Sequence, residues 1–139
     1  MIVVDASAIV ALLDRRDRWH EPVVRWYASV SETLVTTPLI VAEVDHLVAR
    51  RAGRAAVGAW RSDLRRGAVV VQWWETAAAD CVDVAQIYDD QDIGLADASL
   101  VALARRVETV DIATLDERHF RVVRPLGSGE AFRLLPIDP

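Results

Sequence analysis

The alternation of short apolar runs with longer helix-forming runs constrains the fold of this chain more than any other feature of its sequence. The apolar runs are rich in β-branched residues and predict strands over residues 2–4, 34–36, 68–72, 109–113 and 132–135. Helical periodicity predicts helices over residues 8–13, 21–30, 38–51, 54–66, 75–88 and 95–106. Parallel strands are joined through such helices, so the order predicts an α/β fold with a parallel sheet covered on both faces.

The length of 139 residues suits one hydrophobic core, and no repeat or linker divides the chain. We therefore expect a single domain over residues 1–139. No apolar run is long enough to span a membrane, and the run at 2–4 ends too early to be the core of a signal peptide. The single cysteine, Cys81, cannot form an internal disulfide, so we expect a cytoplasmic protein with no membrane partner.

The net charge of −5 at pH 7 would by itself disfavour a nucleic-acid ligand. All the basic side chains are nevertheless arginines, which suit bidentate contact with phosphate. Twelve of the 16 arginines fall in four groups: Arg15, Arg16 and Arg18; Arg50, Arg51 and Arg54; Arg61, Arg65 and Arg66; and Arg118, Arg121 and Arg124. Solvated helix faces in an arginine-rich chain are the simpler explanation for most of these groups.

Two aspartates come after predicted strands: Asp5 directly follows the first strand, and Asp116 lies three residues after the strand at 109–113. Ligands of open α/β sheets bind beyond the carboxyl ends of the strands. If these two strands are neighbours, both carboxylates project into the same crevice. Each aspartate also suits a simpler role, because Asp5 can cap the following helix and Asp116 can cap a turn.

Two further carboxylates lie within predicted helices and among apolar or small residues. Glu43 is in the middle of a strongly apolar helical stretch, where a buried glutamate must be paired, protonated or bound to a cation. The alternative is a partly exposed glutamate at the rim of that helix. Asp97 lies in the first turn of the predicted helix at 95–106, where it also complements the helix dipole.

Four carboxylates on separate elements together predict a shared site for a divalent cation. Mg²⁺ and Mn²⁺ favour carboxylate oxygens, and a metal-activated water is the simplest way to attack a phosphodiester. One cysteine and three scattered histidines (His20, His46 and His119) argue against a Cys/His zinc site. The pattern therefore indicates an enzyme that cuts phosphodiester bonds.

The chain resembles the PIN-domain ribonucleases, and in particular the VapC-type toxins of prokaryotic toxin–antitoxin pairs. The resemblance lies in four motifs, IVVDASA at 2–8, PLIVAEV at 38–44, DIGLADA at 92–98 and TLDERHF at 114–120. Each motif is weak alone, but all four occur in order over essentially the whole chain. The resemblance implies a PIN-like three-layer α/β/α fold with a central parallel sheet of four to five strands.

The resemblance also implies a metal-dependent endoribonuclease that cleaves structured RNA, such as tRNA or rRNA, by a metal-activated water. By motif position, Mg²⁺ or Mn²⁺ would be bound by the four carboxylates, Asp5, Glu43, Asp97 and Asp116. Ser7 and Thr114 would support Asp5 and Asp116 through hydrogen bonds. The family commonly forms homodimers and is neutralised by a small cognate antitoxin protein. We expect that partner at an apolar groove near the first two helices, comprising Val10, Leu13, Val23, Trp26 and Tyr27.

Two residues of the last motif are further candidates for substrate contact. Arg118 could hold an RNA phosphate, and the alternative is an ion pair with Glu117. His119 could act beside Asp116, and the alternative is packing next to Phe120.

Other functions fit the sequence less well. A haloacid-dehalogenase-type phosphatase normally needs a second carboxylate where Ser7 stands, and both that class and receiver domains usually use a lysine, which this chain lacks. A catalytically inactive PIN-like module that binds RNA or protein is the remaining alternative. Retention of all four acids argues against it.

Overall fold

The computed structural model describes all 139 residues and contains a five-stranded sheet in which every strand pair is parallel. The strands are β1 (Ile2–Val4), β2 (Leu34–Thr36), β3 (Val70–Val71), β4 (Asp111–Ala113) and β5 (Arg133–Leu135). Their order in the sheet is β3-β2-β1-β4-β5, so β1 is central and β4 is its neighbour. The predicted parallel sheet is confirmed, and so is the condition that brings Asp5 and Asp116 to one crevice.

Seven helices connect and cover the strands. They are α1 (Ala6–Leu13), α2 (His20–Ser29), α3 (Pro38–Arg51), α4 (Gly53–Arg66), α5 (Ala77–Ile87), α6 (Leu95–Arg106) and α7 (Glu117–Phe120). A 3₁₀ turn at Asp89–Gln91 lies before α6. Helices α1 to α4 pack against one another, α5 packs against α6, and α6 also contacts β1. The predicted three-layer α/β/α architecture is confirmed.

The core is centred on β1 and α6. All three residues of β1 are buried, as expected for a central strand covered on both faces. Residues 98–104 of α6 are buried without interruption, because this helix is enclosed by α5 on one side and the sheet on the other. No helix combines the length and the apolar character that a membrane crossing requires.

Residue type explains the end of α4 and part of the start of α3. Gly67 ends α4 in a left-handed conformation with φ of 72°, which glycine adopts without steric cost. Pro38 occupies the first turn of α3, as predicted, but the side chain of Thr37 does not cap that helix. The Thr37 hydroxyl instead pairs with that of Ser99 at 2.8 Å. Thr37 therefore occupies the N-cap position of α3 without a capping hydrogen bond from its side chain.

The buried face of α5 differs from the expected one. The sequence favoured Ala78, Cys81, Val82, Ala85, Ile87 and Tyr88, whereas the helix buries Ala77, Cys81 and Val84. Val82 and Ile87 are exposed. Apolar residues occur on nearly every side of this helix, so its periodicity does not define one face. Residues 115–120, expected as a turn, form the short helix α7, and β3 is shorter than the predicted strand.

Candidate active site

Asp5 is fixed at the carboxyl end of β1 by hydrogen bonds from both neighbouring segments. Its backbone N–H donates to the carbonyl of Ala113 in β4 at 2.9 Å. Its Oδ1 accepts from the Ala6 N–H at 2.7 Å, and its Oδ2 accepts from the hydroxyls of Ser7 and Thr114 at 2.6 and 2.8 Å. Because Oδ1 has a single close donor, it retains a lone pair for a further ligand. Asp5 is therefore a helix cap that can also bind a cation.

The hydroxyls of Ser7 and Thr114 join the segment after β1 to the segment after β4. They lie 3.2 Å apart, and Thr114 is completely buried. Thr114 Oγ1 accepts from the backbone N–H of Asp116 at 3.0 Å, while Ser7 Oγ accepts from that of Leu115 at 2.9 Å. The same two hydroxyls therefore position Asp5 and the backbone that carries Asp116.

Asp97, Asp116 and His119 form a compact group at the start of α6 and α7. Nδ1 of His119 lies 2.8 Å from Oδ2 of Asp97 and 3.1 Å from Oδ2 of Asp116. The ring nitrogen reaches both carboxylates at contact distance but meets neither at a hydrogen-bonding angle. Asp116 also caps α7, since its Oδ1 accepts from the His119 N–H at 3.2 Å. One ligand atom from each residue lies within 4.8 Å of the other two.

The electrostatics of Asp97 and Glu43 connect this group to Asp5. Burial raises the pKa of Asp97, and the neighbouring charges of Asp5 and Asp116 raise it further, whereas His119 lowers it. Partial desolvation of its carboxyl likewise raises the pKa of Glu43, with added repulsion from Asp5 and Asp97. The charges of Asp5 and Asp97 therefore act on Glu43, and those of Asp5 and Asp116 act on Asp97, so each of the four carboxylates is electrostatically linked to at least one other.

Glu43 occupies the rim of this group and not the interior of the protein. Its side chain is exposed on α3, while Ile40, Val44 and Val48 form the buried face of the helix. Of the two alternatives that the sequence left open for Glu43, the structure shows the exposed glutamate at the rim of the helix and not the buried one. Apolar residues occur on several sides of α3. Ile40 and Val44 can therefore fill the core while Glu43, on another side of the same turn, is exposed.

The family assignment follows from comparison with known proteins. The PIN domain family matches residues 2–125. Ribonuclease VapC26 of Mycobacterium tuberculosis is 41% identical over 141 aligned positions, which cover 97% of this chain and 100% of that protein.

The chain belongs to the PIN-domain family.

Two solved structures share the PIN fold at lower sequence identity. VapC20 of Mycobacterium tuberculosis, a sarcin–ricin loop cleaving toxin, superposes with a TM-score of 0.76 at 23% identity, covering 84% of this chain and 91% of that one. FitAcB of Neisseria gonorrhoeae superposes with a TM-score of 0.60 at 23% identity, covering 84% and 88% of the two chains. The predicted family and fold are thus confirmed.

The residues of this PIN domain fit a divalent cation of the kind that PIN nucleases generally use. The carboxylates supply hard oxygen ligands, and their mutual repulsion is the type of unfavourable interaction that a bound cation offsets. The convergence of Asp97, Asp116 and His119 within 4.8 Å provides the close spacing that coordination needs.

Arg118 lies beside the carboxylates and is free of ion pairs. Glu117 pairs with Arg121 at 3.1 Å, so the alternative pairing of Arg118 with Glu117 does not occur. Arg118 is exposed and lines a small cleft together with Asp92 and His119. Its guanidinium is therefore available to a phosphate at the edge of the site.

A buried pair of hydroxyls, which the sequence did not predict, supports the helix turn that carries Asp97. The hydroxyl of Ser99 donates to the carbonyl of Ala96 at 2.6 Å and lies 2.8 Å from that of Thr37. This contact ties the start of α3 to the first turn of α6, which carries Asp97. The one available signal was a buried serine two residues after Asp97, and small hydroxyls in apolar helices are too common to be informative.

Proposed function

We propose that this PIN domain is a metal-dependent endoribonuclease, a hydrolase of phosphodiester bonds, and the toxin of a toxin–antitoxin pair. The observation that carries the proposal is the grouping of Asp97, Asp116 and His119 within 4.8 Å, together with the charge repulsion that links Asp5 and Glu43 to Asp97. The 41% identity to a protein named as a ribonuclease supports it. A single core cluster of 30 buried residues supports one domain over residues 1–139.

Each carboxylate has a proposed role in holding Mg²⁺ or Mn²⁺. Asp5 would contribute Oδ1, the oxygen with a free lone pair, and Asp97 would contribute a carboxylate oxygen from the first turn of α6. Glu43 would close the exposed rim, and Asp116 would complete the site next to His119. When bound, the metal supplies a more acidic water and offsets the charge that develops on the attacked phosphate.

The remaining residues orient these groups and the substrate. Ser7 and Thr114 hold Oδ2 of Asp5, which fixes the orientation of the carboxylate and leaves a lone pair of Oδ1 for a cation. Nδ1 of His119 lies 2.8 Å from a carboxylate oxygen of Asp97 and 3.1 Å from one of Asp116, so this side chain would help to orient both. Arg118 would bind a phosphate oxygen of the RNA and keep the scissile linkage at the rim.

The substrate and partners follow from the same proposal. Structured RNA such as tRNA or rRNA is the proposed substrate, and the cytoplasm, where such RNA lies, is the proposed compartment. A small antitoxin is the proposed protein partner, with a homodimer as the proposed assembly. The groove predicted from the sequence is an apolar cavity of only about 30 Å³. Four of its five predicted residues line it, namely Leu13, Val23, Trp26 and Tyr27. The fifth, Val10, is buried and does not line it. The antitoxin would therefore bind over this surface and not within it.

Cleavage of a structured RNA by the purified protein tests the nuclease directly. We expect products with Mg²⁺ or Mn²⁺ and none with EDTA. Asp5→Asn and Asp97→Asn should each lower the cleavage rate by at least roughly 100-fold, since each removes an anionic ligand. Asp83→Asn, an exposed aspartate of α5, is the matched control and should leave the rate unchanged.

The competing function is a PIN-like module that binds RNA or protein without cleaving it. If the RNA stays equally intact with Mg²⁺, Mn²⁺ and EDTA, the protein is a binding module and not a nuclease. Equal RNA affinity of wild type and Asp5→Asn would strengthen that conclusion. Induction in cells that lack the antitoxin adds an independent readout. Growth arrest by wild type and not by Asp5→Asn is expected from a nuclease toxin.

A further inference from the structure

Four arginines from two distant parts of the sequence line one open cleft of about 860 Å³. Arg15 and Arg16 follow α1, while Arg50 and Arg51 are the last residues of α3. The guanidinium of Arg16 donates to the backbone carbonyl of Arg51, which joins the two segments. Small residues of α3 and α4 form the floor between them, namely Ala49, Ala52, Gly53, Ala55 and Ala56. We call this surface the arginine cleft.

The arginines of this cleft largely lack acidic partners. Arg16 pairs with Asp14 at 3.5 Å, but Arg15, Arg50 and Arg51 form no ion pair and are exposed. Elsewhere the arginines that bridge elements are neutralised, as in the pairs Arg61–Asp45, Arg121–Asp138 and Arg133–Asp111. The cleft therefore concentrates uncompensated positive charge on a chain whose net charge is −5.

The arginine cleft lies along the same helix as one of the active-site carboxylates. Glu43 and Arg50 are seven residues apart in α3, which returns to nearly the same face after two turns, about 10 Å along the axis. Helix α1, which begins at Asp5 and ends next to Arg15, packs against α3. A ligand that extends away from the carboxylates along α3 would pass over the cleft.

We propose that the arginine cleft binds the phosphate backbone of the RNA on one side of the scissile bond, an inference that rests on the proposed nuclease function. The carboxylates alone would repel a polyanion, so productive approach needs positive charge nearby but outside the metal site. Guanidinium groups bind phosphate oxygens bidentately, and the small floor residues leave room for a strand between the four side chains. An acidic protein partner is the competing occupant.

RNA binding without divalent metal isolates this surface from the chemistry. We would measure fluorescence anisotropy of a fluorescein-labelled RNA hairpin with the full chain in EDTA over a range of salt. For Arg15→Ala/Arg50→Ala we expect roughly tenfold weaker binding near 0.1 M salt, because each lost phosphate contact reduces the slope of log affinity against log salt by about 0.7–0.9. Arg50→Lys should restore part of the affinity, since it keeps the charge.

The control is Arg65→Ala/Arg105→Ala, which makes the same change in net charge at exposed, unpaired arginines in the last turns of α4 and α6. It should bind RNA nearly as wild type does. Equal losses of RNA affinity in both double variants would overturn the proposed role of the arginine cleft, because RNA binding would then depend only on net charge. Unchanged RNA affinity with weaker binding of the cognate antitoxin would overturn it in favour of a protein surface.

The outcomes also separate this inference from the nuclease proposal. If wild type cleaves RNA with Mg²⁺ but Arg15→Ala/Arg50→Ala binds the hairpin normally, the proposal for the arginine cleft is wrong and the nuclease proposal is supported. If wild type never cleaves yet the cleft variant loses RNA affinity, the nuclease fails and the cleft remains an RNA-binding surface. Absence of any RNA binding by wild type would overturn the cleft. Circular dichroism melting of each variant checks that the fold is retained.

Discussion

The Thr114 hydroxyl donates a hydrogen bond to Oδ2 of Asp5 at 2.8 Å, although 109 residues separate them in the chain. This contact joins the ends of the adjacent strands β1 and β4. The same hydroxyl accepts from the Asp116 N–H, so one buried oxygen serves two of the proposed metal ligands. Orientation of both carboxylates therefore depends on a side chain that would not itself touch the substrate.

Thr114→Val keeps the shape of this side chain and removes its hydroxyl. We expect the free energy of unfolding in EDTA to fall by about 2 kcal/mol, because a buried carboxylate oxygen and a buried N–H each lose a partner. Cleavage should fall by roughly 10–100-fold through loss of Asp5 orientation. Urea unfolding and single-turnover RNA cleavage measure the two effects. Thr114→Ser should behave like wild type, and a Val variant with normal cleavage would contradict the positioning role.

The strand-end aspartates show what sequence could predict at this site. Short apolar runs locate β1 and β4, and the general rule for α/β sheets places ligands beyond their carboxyl ends. Asp5 and Asp116 then converge once these strands are adjacent, as they are. Ser7 and Thr114 were found only through the family resemblance, because no rule of periodicity identifies which hydroxyl will meet which carboxylate.

The failures have a common physical cause in helices that are apolar on several sides. In α5 the buried positions, Ala77, Cys81 and Val84, could not be separated from apolar neighbours that remain exposed. In α3 the apolar setting of Glu43 suggested burial, whereas the helix turns that side chain to the rim. Helix orientation is set by tertiary packing, and a nearly uniform apolar pattern carries little information about it.

Charge repulsion at the carboxylates makes stability depend on metal and pH. Burial and the charges of Asp5 and Asp97 raise the pKa of Glu43. A raised carboxyl pKa gives stability that is fully present below the unfolded value of about 4.3 and is lost as pH rises through the folded value. At neutral pH and in EDTA, Glu43→Gln should therefore melt at a slightly higher temperature than wild type.

Added metal should reverse that order. Mg²⁺ or Mn²⁺ at about 100 times its dissociation constant stabilises wild type by about 2.7 kcal/mol, and the effect should be smaller for Glu43→Gln, which has lost a proposed ligand. Differential scanning fluorimetry with EDTA, Mg²⁺ and Mn²⁺ measures both shifts. Asp83→Asn should follow wild type throughout. Identical metal responses of wild type and Glu43→Gln would exclude Glu43 as a ligand.

Asp138 should contribute stability with the opposite dependence on pH. Its carboxylate accepts from Arg121 at 2.6 and 2.8 Å and from the Leu134 N–H at 2.8 Å, and these bonds lower its pKa, with Arg121 the larger cause. A lowered carboxyl pKa gives stability that is present above the unfolded value of about 3.9 and is lost as pH falls through the folded value.

Asp138→Asn tests this dependence. Because the pair is partly solvent-exposed, we expect a loss of only about 1 kcal/mol in the free energy of unfolding at neutral pH. The difference from wild type should shrink as the pH approaches about 3. Urea unfolding at several pH values measures it. A difference that stays constant down to acid pH would show that Asp138 acts through packing and not through its charge.

Gly129 should tolerate no side chain, because its backbone and its surroundings both exclude one. Its φ is 108°, a conformation that L side chains rarely adopt, and a Cβ built there would lie 2.8 Å from Cγ1 of Val110. Val110 directly precedes β4, so relief of the clash would displace the start of a strand that is paired on both sides. Gly129→Ala should reduce the free energy of unfolding by about 1–3 kcal/mol.

Two further variants separate the steric cause from the conformational one. Gly127→Ala, two residues earlier, meets no atom within 4 Å and should change stability by less than about 0.5 kcal/mol. Val110→Ala in the Gly129→Ala background removes the clashing methyl groups but not the backbone strain, so the double variant should lose less than the two single losses combined. Additive losses measured by urea unfolding would show that the positive φ, and not contact with Val110, makes Gly129 necessary.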